Sequence, residues 1–319
     1  MTVPLLDVSD LSVEFPMRRQ RLQALDRISF TVEAGEVLGF VGESGAGKSL
    51  TGAAIMGLLE PPGRITGGQI SLAGQRIDGK AETVRGRQIG MIFQDPLTSL
   101  NPLRTVGDQL VETIQLHLGM GAAAATARAG ELLDEVGIDR ARINGYPHEF
   151  SGGMRQRIVI ALALAPEPKL IIADEPTTAL DVSIQAQVLA LLRRLCKERG
   201  ASVILITHDM GVIAETTDRV AVLYAGRLVE MGRTGEVIAA PRHPYTRGLM
   251  AATPNLDLVS VETVLPQILG RMPSLANLPS GCRFHPRCSD AMPACCQMAP
   301  SFDNGVACHL YASLDVGAG

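Results

Sequence analysis

The sequence contains no tryptophan, and aromatic residues make up only 3% of its 319 residues. Single-stranded nucleic acids are commonly bound on aromatic side chains that stack with the bases, so this mode of binding is disfavoured. The chain also lacks a basic surplus, because it has 29 Lys and Arg residues and 33 Asp and Glu residues, which give a formal net charge of −4. Contact with nucleic-acid phosphates normally depends on such a surplus. We therefore expect no nucleic-acid partner.

Long apolar runs are missing as well. The run at residues 158–165 has the length of a core element, whereas a membrane-spanning helix needs about 20 apolar residues. The first ten residues have no basic start followed by an apolar run, which argues against a signal peptide. Hydrophobic residues make up 46% of the chain, so it can bury a large core and intrinsic disorder is excluded. In the reducing cytosol that these features predict, the six cysteines are thiols or metal ligands rather than disulfides.

The order of apolar runs and helical patterns indicates the fold class. Short apolar runs at residues 37–41, 170–173 and 202–206 resemble buried parallel strands, and a helical pattern separates the last two. Residues 95–165 are richer in turns and helical patterns, and four alanines at 122–125 suit a helix or a loose loop. After residue 241 proline becomes frequent, and five of the six cysteines follow. We expect an α/β domain over residues 1–240 with a helical subdomain at about 95–165, and a small irregular extension over 241–319.

A glycine-rich loop, GESGAGKS at residues 42–49, follows the first apolar run and precedes a helical stretch. A strand, a glycine loop and a helix form the context of a phosphate-binding P-loop. Glycines let backbone N–H groups turn toward a phosphate chain, and the helix N-terminus adds its dipole. Lys48 would bring a positive charge to the β- and γ-phosphates, and the Ser49 hydroxyl suits a magnesium ion. The predicted nucleotide-binding residues here are Gly42, Glu43, Ser44, Gly45, Ala46, Gly47, Lys48, Ser49 and Leu50.

Two further segments carry polar groups at positions suited to phosphoryl transfer. The segment LIIADE at residues 170–175 ends in Asp174, which can hold magnesium, and Glu175, which can orient or deprotonate a water molecule. Taken alone, these acids could be solvated loop charges. Ser151, Gly152 and Gly153 precede an apolar helical run and could form a second anion site, although a plain helix N-cap has the same pattern.

Together these segments resemble the nucleotide-binding subunit of an ABC transporter. SGGMR at residues 151–155 resembles the family's signature motif, usually LSGGQ, with Phe150 and Met154 as departures. Residues 178–181 resemble the D-loop, Gln94 in IFQDP the Q-loop glutamine, and His208 in ILITHD the switch histidine. Order and spacing agree over about residues 5–240. The resemblance implies the ABC nucleotide-binding fold of the P-loop NTPases, with its helical subdomain.

The resemblance also implies roles for these residues. The catalytic group is Lys48, Gln94, Glu175 and His208, and the magnesium ligands are Ser49, Gln94 and Asp174. Phe15 stands where the family places an aromatic ring that stacks on adenine, although a core phenylalanine fits the pattern almost equally well. ATP bound by a partner subunit would be contacted by Ser151, Gly152, Gly153 and Asp181. Hydrolysis would then require two such domains closed face to face.

The cysteine-containing tail suggests a metal. Cys282, Cys288, Cys295 and Cys308 are separated by five, six and twelve residues, a spacing that does not distinguish zinc, an iron–sulfur cluster or free thiols. Residues 241–250 and 281–309 resemble the C-terminal extension of peptide-permease ATPases, in which four cysteines can carry a four-iron four-sulfur cluster. The resemblance implies that cluster on these four residues, with Cys296 as a possible replacement for Cys295.

The resemblance implies ATP-driven import of di- or oligopeptides by a complex at the cytoplasmic face of the inner membrane. This peripheral chain would have three kinds of partner: a paralogous second ATPase subunit, two transmembrane permease subunits docking at residues 95–111, and an extracytoplasmic solute-binding protein. SGGMRQR in place of the commoner SGGQ form favours a heterodimeric ATPase pair. Nickel chelates or other small solutes as cargo, and a soluble ABC ATPase outside transport, are the alternatives.

Overall fold

The computed structural model describes residues 3–18, 20–178, 180–253 and 266–311. Its strands are β1 (Leu6–Pro16), β2 (Arg21–Val32), β3 (Val37–Val41), β4 (Arg64–Leu72), β5 (Gln75–Arg76), β6 (Ile89–Ile92), β7 (Leu170–Asp174), β8 (Ser202–Ile206), β9 (Arg219–Tyr224) and β10 (Arg227–Arg233). Its helices are α1 (Lys48–Ile55), α2 (Pro96–Ser99), α3 (Val106–Leu118), α4 (Ala122–Glu135), α5 (Gly152–Leu164), α6 (Val182–Glu198), α7 (Met210–Thr216), α8 (Thr234–Ala239), α9 (Pro244–Ala252) and α10 (Pro293–Gln297). In these ranges no helix is both long and apolar enough to cross a bilayer.

The central sheet has the strand order β10-β9-β3-β8-β7-β6. Strands β6, β7, β8, β3 and β9 pair in parallel, and β10 pairs antiparallel to β9. The three apolar runs found in the sequence form β3, β7 and β8, so the predicted α/β class is confirmed. Because the carboxyl ends of parallel strands meet at one edge of a sheet, the loops that follow these three strands lie side by side.

A second, antiparallel sheet has the order β2-β1-β4-β5. Its apolar face shares a core with α1, in which Leu11, Ile28 and Ile55 are almost completely buried. Burying one such side chain stabilises the fold by about 1.5–3 kcal/mol. The sheet thereby fixes α1, and with it the loop that precedes α1, against the central sheet.

Helices α2, α3, α4 and α5 occupy the segment predicted to be helical. Thr105 and Asp108 form a reciprocal capping box at the start of α3, which fixes where that helix begins. The four alanines at 122–125 begin α4, so this run forms a helix and not a loose loop. Leu110, Ile114 and Leu133 are fully buried in the core that these helices share with α6.

The chain beyond residue 240 packs on β9 and β10 rather than standing apart from them. Tyr224 of β9 meets Tyr245 of α9 and Phe284 with ring centroids 4.7 and 5.1 Å apart. Edge contacts of this kind stabilise by about 0.5–1.5 kcal/mol beyond the area they bury. Arg283 is also buried and its guanidinium lies 2.8 Å from the Asp26 carboxylate of β2. The extension is therefore joined to both sheets by apolar and ionic contacts.

Candidate nucleotide site

The glycine loop spans the turn between β3 and α1. Gly45 and Gly47 have φ values of 82° and 107°, a left-handed region that side chains strongly disfavour. A Cβ atom at Gly47 would come within 2.7 Å of the Leu25 side chain, and one at Gly42 would overlap the carbonyl oxygen of Leu223. The glycines at these positions thus follow from backbone geometry and from the close approach of neighbouring strands.

Lys48 is the first residue of α1, and only 5% of it is exposed. Its ammonium group donates to the carbonyl oxygens of Gly42, at 2.7 Å, and Glu43, at 3.2 Å. Burial lowers the pKa of Lys48, while the carboxylates of Glu175, Asp174 and Glu43 oppose that shift. The loop therefore holds a buried cation against its own backbone carbonyl oxygens, and such a cation suits a phosphate chain.

Ser49 and Asp174 meet across the edge of the central sheet. The Ser49 hydroxyl donates to Oδ1 of Asp174 at 2.8 Å, although the two residues lie 125 positions apart. Burial raises the pKa of Asp174, the Ser49 bond opposes this shift, and the Glu175 charge adds to it. A hydroxyl and a carboxylate at this spacing are hard oxygen donors, so the pair fits a magnesium ion.

Glu175 follows β7 and is the centre of a polar cluster. Its carboxylate accepts hydrogen bonds from Nε2 of Gln94 at 3.2 Å and from Oγ1 of Thr178 at 2.8 Å. Nδ1 of His208 lies 3.4 Å from its other oxygen. The backbone of Glu175 has φ 44°, and its N–H donates to the carbonyl of Ile206 in β8. A non-glycine residue in this region is strained and persists where the surroundings fix it, which is frequent at functional sites.

The glycine loop and the Glu175 cluster open into one cavity of about 1060 Å³. Gln94, Glu175 and His208 line this cavity together with the loop. Phe15 lines it too and is only half-buried, so the ring belongs to the cavity wall as well as to the edge of the core. The structure thus brings together the predicted residues from five separate segments of the chain.

The signature residues lie elsewhere. Ser151, Gly152 and Asp181 are exposed and do not line this cavity. Ser151 caps α5, its hydroxyl accepting from the N–H of Met154 at 3.4 Å, so the N-cap interpretation applies within the single chain. Gly153 is required by packing, since a Cβ atom there would lie 2.8 Å from the side chain of Ile184. Ser151, Gly152 and Asp181 are therefore exposed at positions outside the cavity that the chain's own glycine loop lines.

Sequence reasoning missed the contribution of the extension to the cavity. Part of the wall consists of Leu249, Gly270, Arg271, Met272 and Leu275. Farther along the chain, Arg287 forms a bidentate ion pair with Glu43 of the glycine loop. Leu249 and Arg287 lie in the two segments that resemble the extension of peptide-permease ATPases, but nothing in the local sequence indicated a position next to a phosphate-binding loop.

The four cysteines assigned to an iron–sulfur cluster all lie in the described part of the chain. Burial, with smaller contributions from Cys295, Cys308 and Cys288, raises the pKa of Cys282 to about 11. Cys295 is buried, whereas Cys296 is exposed. Within the described residues, however, no three His, Cys, Asp or Glu side chains are grouped so that they could hold a metal ion. The structure therefore does not support the predicted metal-binding extension, because the thiols influence one another without surrounding a common centre.

Comparison with known proteins agrees with this geometry. Residues 25–178 match the ABC transporter family, and residues 229–295 match the C-terminal region of oligopeptide/dipeptide transporters. The oligopeptide transport ATP-binding protein OppD of Salmonella typhimurium is 49% identical over 302 residues, which cover 93% of this chain and 89% of the relative. OppD of Bacillus subtilis is 51% identical over 295 residues, covering 90% and 82%.

A solved structure of similar fold is the ATP-binding cassette MJ0796 in a dimeric post-hydrolysis state bound to ADP and Pi. It has a TM-score of 0.64 and 27% identity, and the match covers 72% of this chain and 98% of that one. The predicted family is confirmed by these relatives and by the cavity that joins the P-loop to Glu175. The chain belongs to the ABC transporter family, in the group of ATP-binding proteins that carry the C-terminal region of the oligopeptide/dipeptide transporters.

Proposed function

We propose that this chain hydrolyses ATP to drive the import of peptides through a membrane permease complex. The observation that carries the proposal is the single cavity shared by the P-loop and the Glu175 cluster. Two relatives that share 49% and 51% of their aligned residues with this chain, over 93% and 90% of its length, are named oligopeptide transport ATP-binding proteins. The cavity supports the chemistry, and the relatives support the cargo.

In the proposed reaction the loop amides and Lys48 hold the β- and γ-phosphates. Ser49 and Asp174 would hold Mg²⁺, which neutralises charge on the phosphate oxygens when bound. Gln94 would be the third ligand of Mg²⁺. Its side-chain amide lies 3.2 Å from the carboxylate of Glu175. Phe15 offers a ring to the adenine at the wall of the same cavity. Positioning and charge neutralisation are the main demands of phosphoryl transfer, and these residues meet both.

Glu175 is proposed to orient or deprotonate the attacking water. Donors from Gln94 and Thr178 and the nearby His208 ring fix its carboxylate in one orientation. His208 is proposed to contact the γ-phosphate, which places it between the phosphate and Glu175. Because the carboxylate is held by three groups from three different segments, little reorganisation is needed when water attacks the γ-phosphate.

A second ATPase subunit is proposed to complete the site. Ser151, Gly152, Gly153 and Asp181 do not line their own chain's cavity, which supports a role at the nucleotide of a partner. The similar cassette MJ0796 was solved as a dimer with ADP and Pi. The SGGMRQR form of the signature favours a paralogue as that partner. ATP contacts on both partners would favour the closed pair, and loss of the γ-phosphate would remove that preference.

The permease subunits are proposed to dock next to Gln94. Residues 95–111 follow that glutamine and include α2 and the start of α3. Three large apolar side chains are exposed in and next to this segment: Phe93, Leu97 and Leu103, with 46%, 60% and 86% exposure. Apolar side chains grouped on a surface often mark a protein interface. Docking there would place the chain at the cytoplasmic face of the membrane, with a solute-binding protein on the other side.

Uptake by the assembled complex tests the proposed cargo. The chain, its partner ATPase, both permease subunits and the solute-binding protein are reconstituted in vesicles, and ATP-dependent accumulation of labelled di- and oligopeptides is measured. We expect peptide uptake that requires ATP and exceeds uptake of a nickel chelate. Uptake of the chelate but not of peptides would contradict the peptide assignment. A chain that never co-purifies with membrane-spanning subunits would instead indicate a soluble ABC ATPase.

An iron–sulfur cluster in the extension is a separate proposal. Its support is the sequence resemblance and the effect of Cys288, Cys295 and Cys308 on Cys282, whose pKa they help to raise and which a bound cation would offset. The four thiols would have to move to reach one centre, and no step of ATP hydrolysis is assigned to them. We expect about four iron atoms per chain and visible absorbance after anaerobic purification, both lost in Cys282→Ser and kept in Cys196→Ser. An iron-free chain, or stoichiometric zinc, would refute the cluster.

A further inference from the structure

The extension contacts the P-loop residue Glu43 through two residues, Arg287 and Tyr245. The guanidinium of Arg287 donates from Nη1 to Oε2 of Glu43 at 2.6 Å and from Nη2 to Oε1 at 3.0 Å. The backbone N–H of Glu43 donates to the hydroxyl oxygen of Tyr245 at 2.8 Å. Both the side chain and the backbone of the second loop residue are therefore held by the extension.

Arg287 is itself fixed in place. Only 5% of its side chain is exposed, and Nε donates to the carbonyl of Leu269 at 2.8 Å. Nη1 also lies 3.4 Å from the hydroxyl of Tyr224. A bidentate pair of this kind is strong and directional. The Arg287 side chain is buried while that of Glu43 is 32% exposed, so loss of Glu43 would leave the guanidinium charge poorly compensated. The position of Arg287 in the extension therefore fixes the position of the Glu43 side chain in the P-loop.

The extension also supplies apolar surface to the cavity. Leu249 of α9 and residues Met272 and Leu275 line it together with Phe15. The glycine loop, Lys48 and Glu175 line the same cavity and suit phosphates. The apolar lining matches the flat face of a nucleobase, since pockets bury such faces against hydrophobic side chains.

We propose that the C-terminal extension is part of the nucleotide site, with Arg287 as a positioning residue for the P-loop and Met272 and Leu275 as contacts for the base. The inference rests on the proposed ATP site. Arg287 acts through Glu43 on the phosphate end of the ligand, whereas the apolar wall acts on the base end. The two parts of the extension consequently make separable contributions to nucleotide affinity.

Two probes distinguish the contributions in the assembled complex: equilibrium binding of ATP, and binding of tripolyphosphate, which has no base. We expect Arg287→Gln to weaken both ligands about tenfold, the loss typical of a charged hydrogen bond. Arg287→Lys should restore part of that loss, and Glu43→Gln should match Arg287→Gln without adding to it in the double variant. Met272→Ala should weaken ATP while leaving tripolyphosphate binding unchanged.

Arg247→Gln is the matched control. Arg247 pairs with Asp290 at 2.5 Å within the same extension and does not line the nucleotide cavity. It should leave the affinity for both probes unchanged. Thermal unfolding of each variant separates a loss of fold from a loss of positioning. Unchanged ATP affinity in Arg287→Gln, or an equal loss in Arg247→Gln, would overturn the proposal. Because binding is measured without turnover, these outcomes are independent of whether Glu175 is catalytic.

Discussion

Replacing Glu175 by glutamine is expected to lower ATP turnover of the assembled complex by about two to four orders of magnitude, the range for loss of a general base. Glutamine has the shape of glutamate but cannot accept a proton from water. The contacts from Gln94, Thr178 and His208 reach the carboxylate and not the phosphate-binding loop. ATP binding should therefore persist, so that the variant retains ATP and stays in the closed pair.

Steady-state ATPase activity and equilibrium ATP binding measured on the same preparation check this expectation. Glu215→Gln is the matched control, because Glu215 is an exposed acid on α7, outside the cavity, and its loss should not change either quantity. If Glu175→Gln hydrolysed ATP at the unaltered rate, the assignment of Glu175 would be wrong. If it lost ATP binding as well, the residue would serve the fold of the site and not the water.

Replacing Ser151 by phenylalanine is expected to reduce turnover and uptake at least tenfold while ATP binding by the separate chain is unchanged. Ser151 is exposed at the start of α5 and does not line its own cavity. A bulky ring there would block the approach of the partner's nucleotide to the helix N-terminus, whose N–H groups favour anions. The effect should therefore appear only in measurements that require two ATPase subunits.

The control must remove a helix cap without touching the proposed interface. Asp139→Ala does so, since the Asp139 side chain caps the short helical turn Arg140–Arg142 by accepting from the N–H of Ala141 at 2.8 Å. Such a loss costs about 1 kcal/mol of stability but leaves the signature surface intact. Analytical ultracentrifugation with and without ATP reports association of the pair. Turnover and ATP-dependent association that survive in Ser151→Phe would contradict the role of this surface.

The P-loop was predictable from the sequence because its determinants are local. A short run of residues supplies the glycines, the lysine and the serine, and the φ values of Gly45 and Gly47 follow from the turn that they form. Asp174 and Glu175 were predictable because parallel strands deliver their carboxyl ends to one edge of the sheet. Thr178 was assigned only to a loop motif, yet it holds the Glu175 carboxylate at 2.8 Å. That contact depends on the path of the loop, which no pattern encodes.

The predicted metal site is not supported by the structure, because it too depended on the path of irregular chain. The spacing of Cys282, Cys288, Cys295 and Cys308 establishes that four thiols occur in a short segment. It does not establish that they converge, because the segment is irregular and its backbone is set by packing on β9 and β10. The described residues place no metal-binding group there. Helices and regular strands give side chains a known direction, whereas irregular chain does not.

By itself the sequence determined the family of this protein and the places of the glycine loop and of the two acids at the end of β7. These depend on residues close together in the chain or on the fixed direction of parallel strands. Only the tertiary structure decided that the extension reaches the nucleotide cavity, since Arg287 and Glu43 are 244 positions apart. An ion pair between residues so distant depends on how the extension packs on the central sheet, and packing is a property of the folded chain as a whole.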